Sequence, residues 1–131
     1  MLTTNPKLIA EVKSFFEEFV AAYPKDDLDR YLNLFSQDEN LVMFGTSHKW
    51  LGWEEYKTAP AEEKERLGEI TLTYDWLKIN THESVAWIAS EVKVQFKVGE
   101  EWRIIPARLT GVVKKFQDKW KIVQGHISVS G

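Results

Sequence analysis

The sequence predicts an α+β fold in which N-terminal helices pack against a curved antiparallel sheet. Apolar residues recur at helical spacing in the first part of the chain and alternate with period two in the second half. Short turn-like segments separate the alternating runs, which favours hairpins. Helices followed by a run of strands are typical of α+β domains. With 131 residues, the chain suits a single domain over residues 1–131.

The first two helices are predicted from their spacing and their capping residues. Residues 6–23 place apolar side chains on one side and Glu or Lys on the other, as in an amphipathic helix. Asn5 precedes a proline at the first helical position, which is a favourable N-cap arrangement. A second, shorter helix is expected from a cap at Asp26 or Asp27 to about Phe35.

The middle of the chain is predicted to change from helix to strand. Residues 41–44 form a short strand, a third helix begins near Gly52, and the charged run 61–66 forms a solvated helix turn or loop. Long strands are then predicted over 69–79, 84–98, 102–116 and 119–129.

The turns between these strands fix the predicted register. A two-residue turn at Gly99-Glu100 sets Glu91 opposite Arg108. The first turn is predicted to hold four residues, 80–83, and the last turn three, 117–119. These lengths give the further facing pairs Tyr74–Ala89, Trp76–Trp87, Ala89–Thr110, Thr110–His126 and Arg108–Ser128.

This register predicts a polar cluster on one face of the sheet. Gln124, His126 and Ser128 share a face of the last strand because strand side chains alternate. Buried polar groups need partners, so the cluster is expected to line a pocket on the inner face. The residues predicted on that face are Tyr74, Trp76, Trp87, Glu91, Arg108, Thr110, Gln124, His126 and Ser128.

The opposite face is predicted to be apolar and covered by a second copy of the chain. An antiparallel sheet usually leaves one face to water, so a second apolar face needs its own cover. A homodimer is the simplest arrangement. The residues expected near the centre of its interface are Val92, Val94, Leu109 and Ile127.

Residues on the helical side supply the rest of the predicted pocket. The aromatic ones either wall an apolar ligand site or belong to ordinary core packing. His48 lies near the expected rim, where it is also explained as a surface residue of a turn. The predicted residues are Tyr31, His48, Trp50, Trp53 and Tyr56.

Composition and motifs argue against several classes of function. A net charge of −3 with mixed signs and no basic stripe argues against nucleic acid, and no apolar run is long enough to span a membrane. The absence of Cys removes thiol chemistry and fits a reducing cytoplasm, which is the predicted compartment. Three dispersed His residues make a metal site unexpected. Without a Gly-rich phosphate loop, no cofactor is expected.

Three stretches of the chain resemble the NTF2-like superfamily, and within it the SnoaL-like (ketosteroid-isomerase-like) domains. They are Phe44-Gly-Thr-Ser-His-Lys-Trp-Leu-Gly-Trp53, Arg108-Leu-Thr110 and Trp120-Lys-Ile-Val-Gln-Gly-His-Ile-Ser128. The last stretch is also similar to the association domain of calcium/calmodulin-dependent kinase. The resemblance implies a cone-shaped sheet wrapped around a long N-terminal helix. It also implies a pocket at the wide end and a homodimer through the convex face.

Three hypotheses for function stay open, because folds of this kind host unrelated activities. The chain binds a small organic molecule, or it is a cofactor-free isomerase, cyclase or dehydratase, or it is an oligomerisation module with a vestigial pocket. In the enzyme hypothesis, His126 moves a proton, Glu91 is a second acid or base, and Arg108 stabilises enolate charge. Each residue also has a structural explanation. His126 is then a core side chain bonded to Thr110 or Glu91, and Arg108 forms a buried salt bridge with Glu91.

Overall fold

A computed structural model describes residues 5–129 as helices on one side of an open, curved, six-stranded sheet. In this range the helices are α1 (Pro6–Ala22), α2 (Leu28–Leu32), α3 (Trp53–Tyr56) and α4 (Ala59–Leu67). The strands are β1 (Val42–Phe44), β2 (Lys49–Leu51), β3 (Ile70–His82), β4 (Val85–Val98), β5 (Glu101–Phe116) and β6 (Lys119–Val129). The predicted fold class is confirmed. Within the same range, no helix is both long and apolar enough to cross a membrane.

The helix starts follow the capping residues predicted from the sequence. The Asn5 side chain accepts a hydrogen bond from the Leu8 N–H at 3.2 Å, and Asp27 accepts one from the Arg30 N–H at 3.1 Å. At its other end α2 stops at Leu32, short of the predicted end.

The segment after α2 pairs with β6 instead of continuing the helix. The Ile122 N–H donates to the Leu34 carbonyl at 2.8 Å, and the Ser36 N–H donates to the Ile122 carbonyl at 2.9 Å. Backbone groups that a longer helix would have satisfied internally are therefore satisfied across the sheet. Strand β2 is an element that the sequence did not predict. The charged run 61–66 lies within α4, which is the helical one of its two predicted forms.

The sheet order places β6 and β5 at its centre. The order is β2-β1-β6-β5-β4-β3, with β1 parallel to β6 and the other neighbouring pairs antiparallel. The turn before β6 is shorter than predicted, because Phe116 faces Lys119, but a bulge at Val123 restores the register beyond it. The predicted pairs that the structure confirms are Glu91–Arg108, Ala89–Thr110, Thr110–His126 and Arg108–Ser128.

The first hairpin has a shorter turn than predicted. His82 pairs with Val85, so the turn holds two residues instead of four. Trp87 consequently faces Asn80 and not Trp76. The predicted pairs Tyr74–Ala89 and Trp76–Trp87 are therefore wrong.

A bulge in β3 separates two aromatic residues that were expected on one face. The register shifts between Tyr74 and Trp76, and the extra residue turns their side chains to opposite faces. Tyr74 packs against Phe16 of α1, with ring centroids 5.2 Å apart, whereas Trp76 is 49% exposed. The Ser90 hydroxyl donates to the Trp76 carbonyl at 2.6 Å and so satisfies the backbone at the bulge.

The two faces of the sheet are the reverse of those predicted. On β4, Ala86, Ile88 and Val92 are buried, while Glu91 is exposed. The apolar stripe of α1 covers the apolar face, because that packing removes more nonpolar surface from water. The polar face is left outside. The residues predicted on the inner face that lie on the outer face are Trp76, Trp87, Glu91, Arg108, Thr110, Gln124, His126 and Ser128.

The predicted centre of the dimer interface is also wrong. Val92 is 2% exposed within the core, and Val94, Leu109 and Ile127 pack against that core from the same face. These side chains face the helices and cannot meet a second copy of the chain.

Helix α1 is held on the inner face by a polar contact as well as by apolar packing. One carboxylate oxygen of Glu11 accepts hydrogen bonds from Lys115 Nζ at 2.9 Å and from Trp120 Nε1 at 3.0 Å. The two donors belong to β5 and β6, so Glu11 fastens the helix to the centre of the sheet. Their hydrogen bonds lower the pKa of the Glu11 carboxyl.

Core packing around β1 gives a stability prediction with a matched control. Leu41 is 1% exposed and Leu51 is 50% exposed. Leu41→Ala should lower the free energy of unfolding by about 2–5 kcal/mol, because it leaves a cavity in the core. Leu51→Ala should change it by less than about 0.5 kcal/mol. Urea unfolding followed by circular dichroism measures both, and equal losses in the two variants would contradict the described packing.

Candidate functional site

A cavity of about 530 Å³ lies between the helices and the inner face of the sheet. Its volume falls within the range of small-molecule sites, roughly 300–1,000 Å³. The floor is apolar and not polar as predicted, because the sheet turns its apolar face inward. The main floor residues are Ile88, Val94, Leu109, Val113, Ile122 and Ile127.

Two glycines lie in the middle of the floor. Gly111 of β5 and Gly125 of β6 lie opposite each other, and both border the cavity. A Cβ on Gly125 would come within 2.9 Å of the Met43 side chain, while one on Gly111 would have the Gln124 carbonyl as its neighbour at 3.4 Å. Gly111 therefore lets the cavity reach the backbone of the sheet, whereas the space beside Gly125 is filled by Met43, which itself lines the cavity.

A chain of aromatic rings forms the wall opposite the floor. Ring centroids are 5.9 Å apart between Phe19 and Tyr31, 5.2 Å between Tyr31 and Phe35, and 5.0 Å between Phe35 and Tyr56. Phe35 is buried and connects the two tyrosines without lining the cavity itself. Trp50 continues the series, 5.4 Å from Tyr56. Rings packed in this way hold each other in place, so the wall is rigid.

The rim of the cavity beside β2 is polar. His48 is exposed and stacks on Trp50 with ring centroids 5.5 Å apart. Its Nδ1 lies 3.1 Å from the Ser47 hydroxyl. Thr46 lines the same edge. These side chains give the rim hydrogen-bonding groups that contact water.

One end of the cavity holds a buried charge among phenols, which we name the lysine–tyrosine cluster: Tyr23, Lys25, Tyr31, Tyr56 and Glu63. All five residues line the cavity. The Lys25 side chain is 3% exposed, and its Nζ donates to Glu63 at 2.7 Å. The same Nζ lies 4.1 Å from the Tyr23 ring centroid and 5.0 Å from that of Tyr31. The ammonium group is therefore held by one carboxylate and two aromatic faces.

Burial shifts the pKa of every phenol in the cluster and of its lysine. Loss of solvent raises the pKa of Tyr23, Tyr31 and Tyr56 far above the ordinary value, and the neighbouring Glu63 charge adds to each shift. Loss of solvent also lowers the pKa of Lys25, and the ion pair with Glu63 opposes that shift. The three phenols are thus neutral hydrogen-bond donors at physiological pH.

The backbone at Lys25 has a strained, left-handed conformation. Its φ of 61° lies in the left-handed region, which favours glycine at the end of a helix. Its N–H closes the end of α1 on the Ala22 carbonyl at 2.9 Å. Holding a lysine in this conformation destabilises the folded state by on the order of 1–3 kcal/mol. The contacts of its side chain offset that cost.

Sequence reasoning did not identify Lys25, Glu63 or Tyr23 as site residues. Lys25 lies between a proline and two aspartates, a composition typical of an exposed loop. Glu63 belongs to the charged run that was expected to be solvated. Only the fold brings α4 against the loop after α1, so the sequence alone carries no signal for this cluster.

The three predicted catalytic residues, Glu91, Arg108 and His126, lie on the outer face of the sheet and not in the cavity. Glu91 and Arg108 are exposed and face each other in register, but within residues 5–129 no ion pair joins their side chains. His126 is exposed, with its ring 5.6 Å from that of Phe44 on the neighbouring strand. The prediction that these side chains project into the pocket is wrong, because strand alternation turns them outward.

The remaining predicted pocket residues divide between the cavity and other surroundings. Tyr31, His48, Trp50 and Tyr56 line the cavity. Thr110, Gln124 and His126 border it beside the two glycines, with side chains directed to the outer face. Trp53 and Tyr74 pack against the core. The ones that lie on the outer face away from the cavity are Trp76, Trp87 and Ser128.

No cluster of three or more His, Cys, Asp or Glu side chains suited to a metal ion occurs in the described part of the chain. The ammonium group of Lys25 has no lone pair for a metal ion, and its positive charge repels a cation from the phenols beside it. The site therefore offers organic ligands hydrogen bonds, a large apolar surface, the buried positive charge of Lys25 and the exposed one of Arg66.

Comparison with solved structures agrees with this architecture. An NTF2-like structure from Streptomyces avermitilis, provisionally named a dehydratase, has a TM-score of 0.86 at 12% identity, and the match covers 97% of this chain and 99% of that one. An NTF2-like superfamily protein from Salmonella enterica has a TM-score of 0.85 at 15% identity, covering 98% and 94%. A structure from Xanthomonas campestris, provisionally named a calcium/calmodulin-dependent protein kinase II association domain, has a TM-score of 0.78 at 18% identity, covering 92% and 86%. Likeness at these identities shows the fold alone.

A family profile matches this chain, whereas the curated proteins do not. None of the curated proteins compared with the chain matches it. The profile of the SnoaL-like domain matches residues 12–130, which is nearly the whole chain. The chain therefore belongs to the SnoaL-like domain family.

Proposed function

We propose that this domain binds a small, largely apolar organic molecule in the cavity beneath α1. The observation that carries the proposal is the apolar floor around Gly111, where a glycine leaves space on the cavity side that a side chain would otherwise fill. The aromatic wall lies across from this opening. A ring system placed between the two would bury most of its surface, and burial of apolar area is the main source of affinity for such ligands.

The geometry supports binding over the enzymatic hypothesis. An acid or base must lie within hydrogen-bond reach of the atom that loses or gains a proton. His126 and Glu91, the residues expected to move protons, project from the outer face. Lys25 is occupied by Glu63, and the neighbouring phenols stay protonated. The buried end of the cavity thus offers contacts for recognition, while His48 and Glu62, which also line the cavity, are exposed to water.

Filling the floor tests the proposed binding site. Gly111 has a backbone that a larger residue can adopt, so Gly111→Leu should place its side chain in the cavity with the fold intact. Binding of 2-naphthamide, a neutral bicyclic probe, should weaken about tenfold or more, equivalent to about 1.4 kcal/mol. Lys114→Leu adds an apolar side chain on the opposite face of the same strand and should leave binding unchanged. Calorimetry measures both; unaltered affinity in Gly111→Leu would rule out this cavity as the site.

The neutral phenols predict a loss of stability at alkaline pH. Tyr23, Tyr31 and Tyr56 have raised pKa values in the folded protein, whereas an unfolded chain loses these protons near pH 10. The folded state then binds more protons, so stability should fall as the pH rises above about 10. The lowered pKa of Lys25 has the opposite effect on the pH dependence of stability, but the single lysine is outnumbered by the three phenols.

Urea unfolding between about pH 8 and 11 measures this effect, with tyrosinate absorbance recorded in parallel. Tyr23→Phe removes one of the three groups and should make the alkaline loss shallower. Absorbance that rises fully while the protein is still folded would contradict the described burial of the phenols.

We also propose that the domain forms a homodimer through the outer face of its sheet. Apolar side chains there are strongly exposed, with Trp76 at 49%, Trp102 at 56% and Ile104 at 59%. Glu91 and Arg108 lie side by side on the same face, so a two-fold axis can set each against its opposite charge. A second copy therefore suits this face in both apolar character and charge.

Light scattering tests the proposed dimer. The 15.3 kDa chain should scatter as a dimer at micromolar concentration, and Ile104→Glu should shift it to monomer by placing a charge in the interface. Val98→Glu changes a residue that is 51% exposed near the hairpin tip and should leave the dimer intact. A wild-type protein that is monomeric throughout would overturn this proposal.

A further inference from the structure

Among residues 5–129, the lysine–tyrosine cluster has more N–H and O–H donors than hydrogen bonds that use them. An ammonium group supplies three N–H donors and each phenol one O–H donor. Within residues 5–129, Lys25 Nζ donates only to Glu63, and Tyr31 and Tyr56 share one long contact of 3.5 Å. Tyr23 makes no side-chain hydrogen bond in the same range, yet no sealed polar side-chain atom there lacks a partner. The Tyr23 hydroxyl therefore borders open space.

We propose that this cluster binds the carboxylate end of an otherwise apolar ligand, which rests on the proposed function of the cavity. Lys25 would supply the positive charge, and the hydroxyls of Tyr23, Tyr31 and Tyr56 the additional donors. Charge-assisted hydrogen bonds of this kind are shorter and stronger than those between neutral groups. The rest of the ligand would extend over the apolar floor towards Gly111.

Glu63 occupies the place of that carboxylate in the unliganded protein. Its side chain is 35% exposed, whereas that of Lys25 is 3% exposed. Glu63 can therefore turn towards water while Lys25 stays inside. An incoming carboxylate would replace one anion by another, so the buried ammonium group keeps a partner throughout. Leaving a buried charge unpaired is strongly unfavourable, and this exchange avoids it.

A pair of probes that differ in charge tests the proposal. 2-Naphthoate and 2-naphthamide have nearly the same shape, but only the first is an anion. The wild-type protein should bind 2-naphthoate about tenfold more tightly or better, because it gains a charge-assisted bond. Lys25→Met should remove that preference while 2-naphthamide still binds. Glu63→Gln should strengthen 2-naphthoate binding about threefold or more by removing the competing anion, with 2-naphthamide unchanged.

A second ion-paired lysine provides the control. Lys64 lies 2.7 Å from Asp26, in the pair beside the cluster, and is not part of the cavity lining. Lys64→Met should leave the preference for 2-naphthoate as it is in the wild type.

The outcomes separate this inference from the proposed function. Equal affinity for the two probes in the wild type, or an undiminished preference in Lys25→Met, would overturn the carboxylate subsite and leave the apolar cavity standing. Failure of both probes to bind would instead contradict the proposed function. If Lys25→Met does not fold by circular dichroism, the wild-type ratio and the Glu63→Gln response decide.

Discussion

The position of α1 on the inner face of the sheet determines what the rest of the molecule can do. The helix is held at one side by Phe16 against Tyr74 of β3 and at the other by Glu11, which bonds Lys115 and Trp120. Because both attachments fix the helix across the sheet, the floor between them is only partly covered. The cavity is thus a consequence of helix placement, enlarged where Gly111 lacks a side chain.

A positive charge inside such a cavity is stable only because a carboxylate and two aromatic rings contact it. Lys25 reaches Glu63 on α4 and the rings of Tyr23 and Tyr31. The adjacent pair between Lys64 and Asp26 joins the same loop to α4 but is largely exposed, and exposed pairs contribute at most about 1 kcal/mol. The buried pair therefore does more to set the position of α4 at this end of the cavity.

Much of the fold could be predicted from the sequence, and the faces of its sheet could not. Hairpin turns and alternation gave Glu91 opposite Arg108 and Thr110 opposite His126, as the structure has them. The register of the strands does not determine which face of the sheet packs against the helices. The polar residues were assigned to the interior because a cluster of polar side chains was expected to line a pocket, yet burial of nonpolar area by α1 selects the other face.

The errors in detail have local causes. A bulge between Tyr74 and Trp76 turns these side chains to opposite faces, and an apolar pattern does not locate an unpaired residue. The cluster around Lys25 was missed for a different reason. Its members come from four separate segments, and a lysine next to a proline and two aspartates has the composition of a surface loop.

The sheet separates the apolar floor of the cavity from the outer face, so substitutions on the two faces should have different effects. Leu109 and Ile127 point to the cavity side, while their neighbours Arg108, Thr110 and His126 point outward. A substitution at an outward position changes the face proposed for the dimer and leaves the apolar floor in place. Effects at the two faces should be nearly independent wherever the backbone between them does not move. At Gly111 that separation is thinnest, because the cavity there meets the backbone itself, and any coupling between ligand binding and assembly would have to pass through this point.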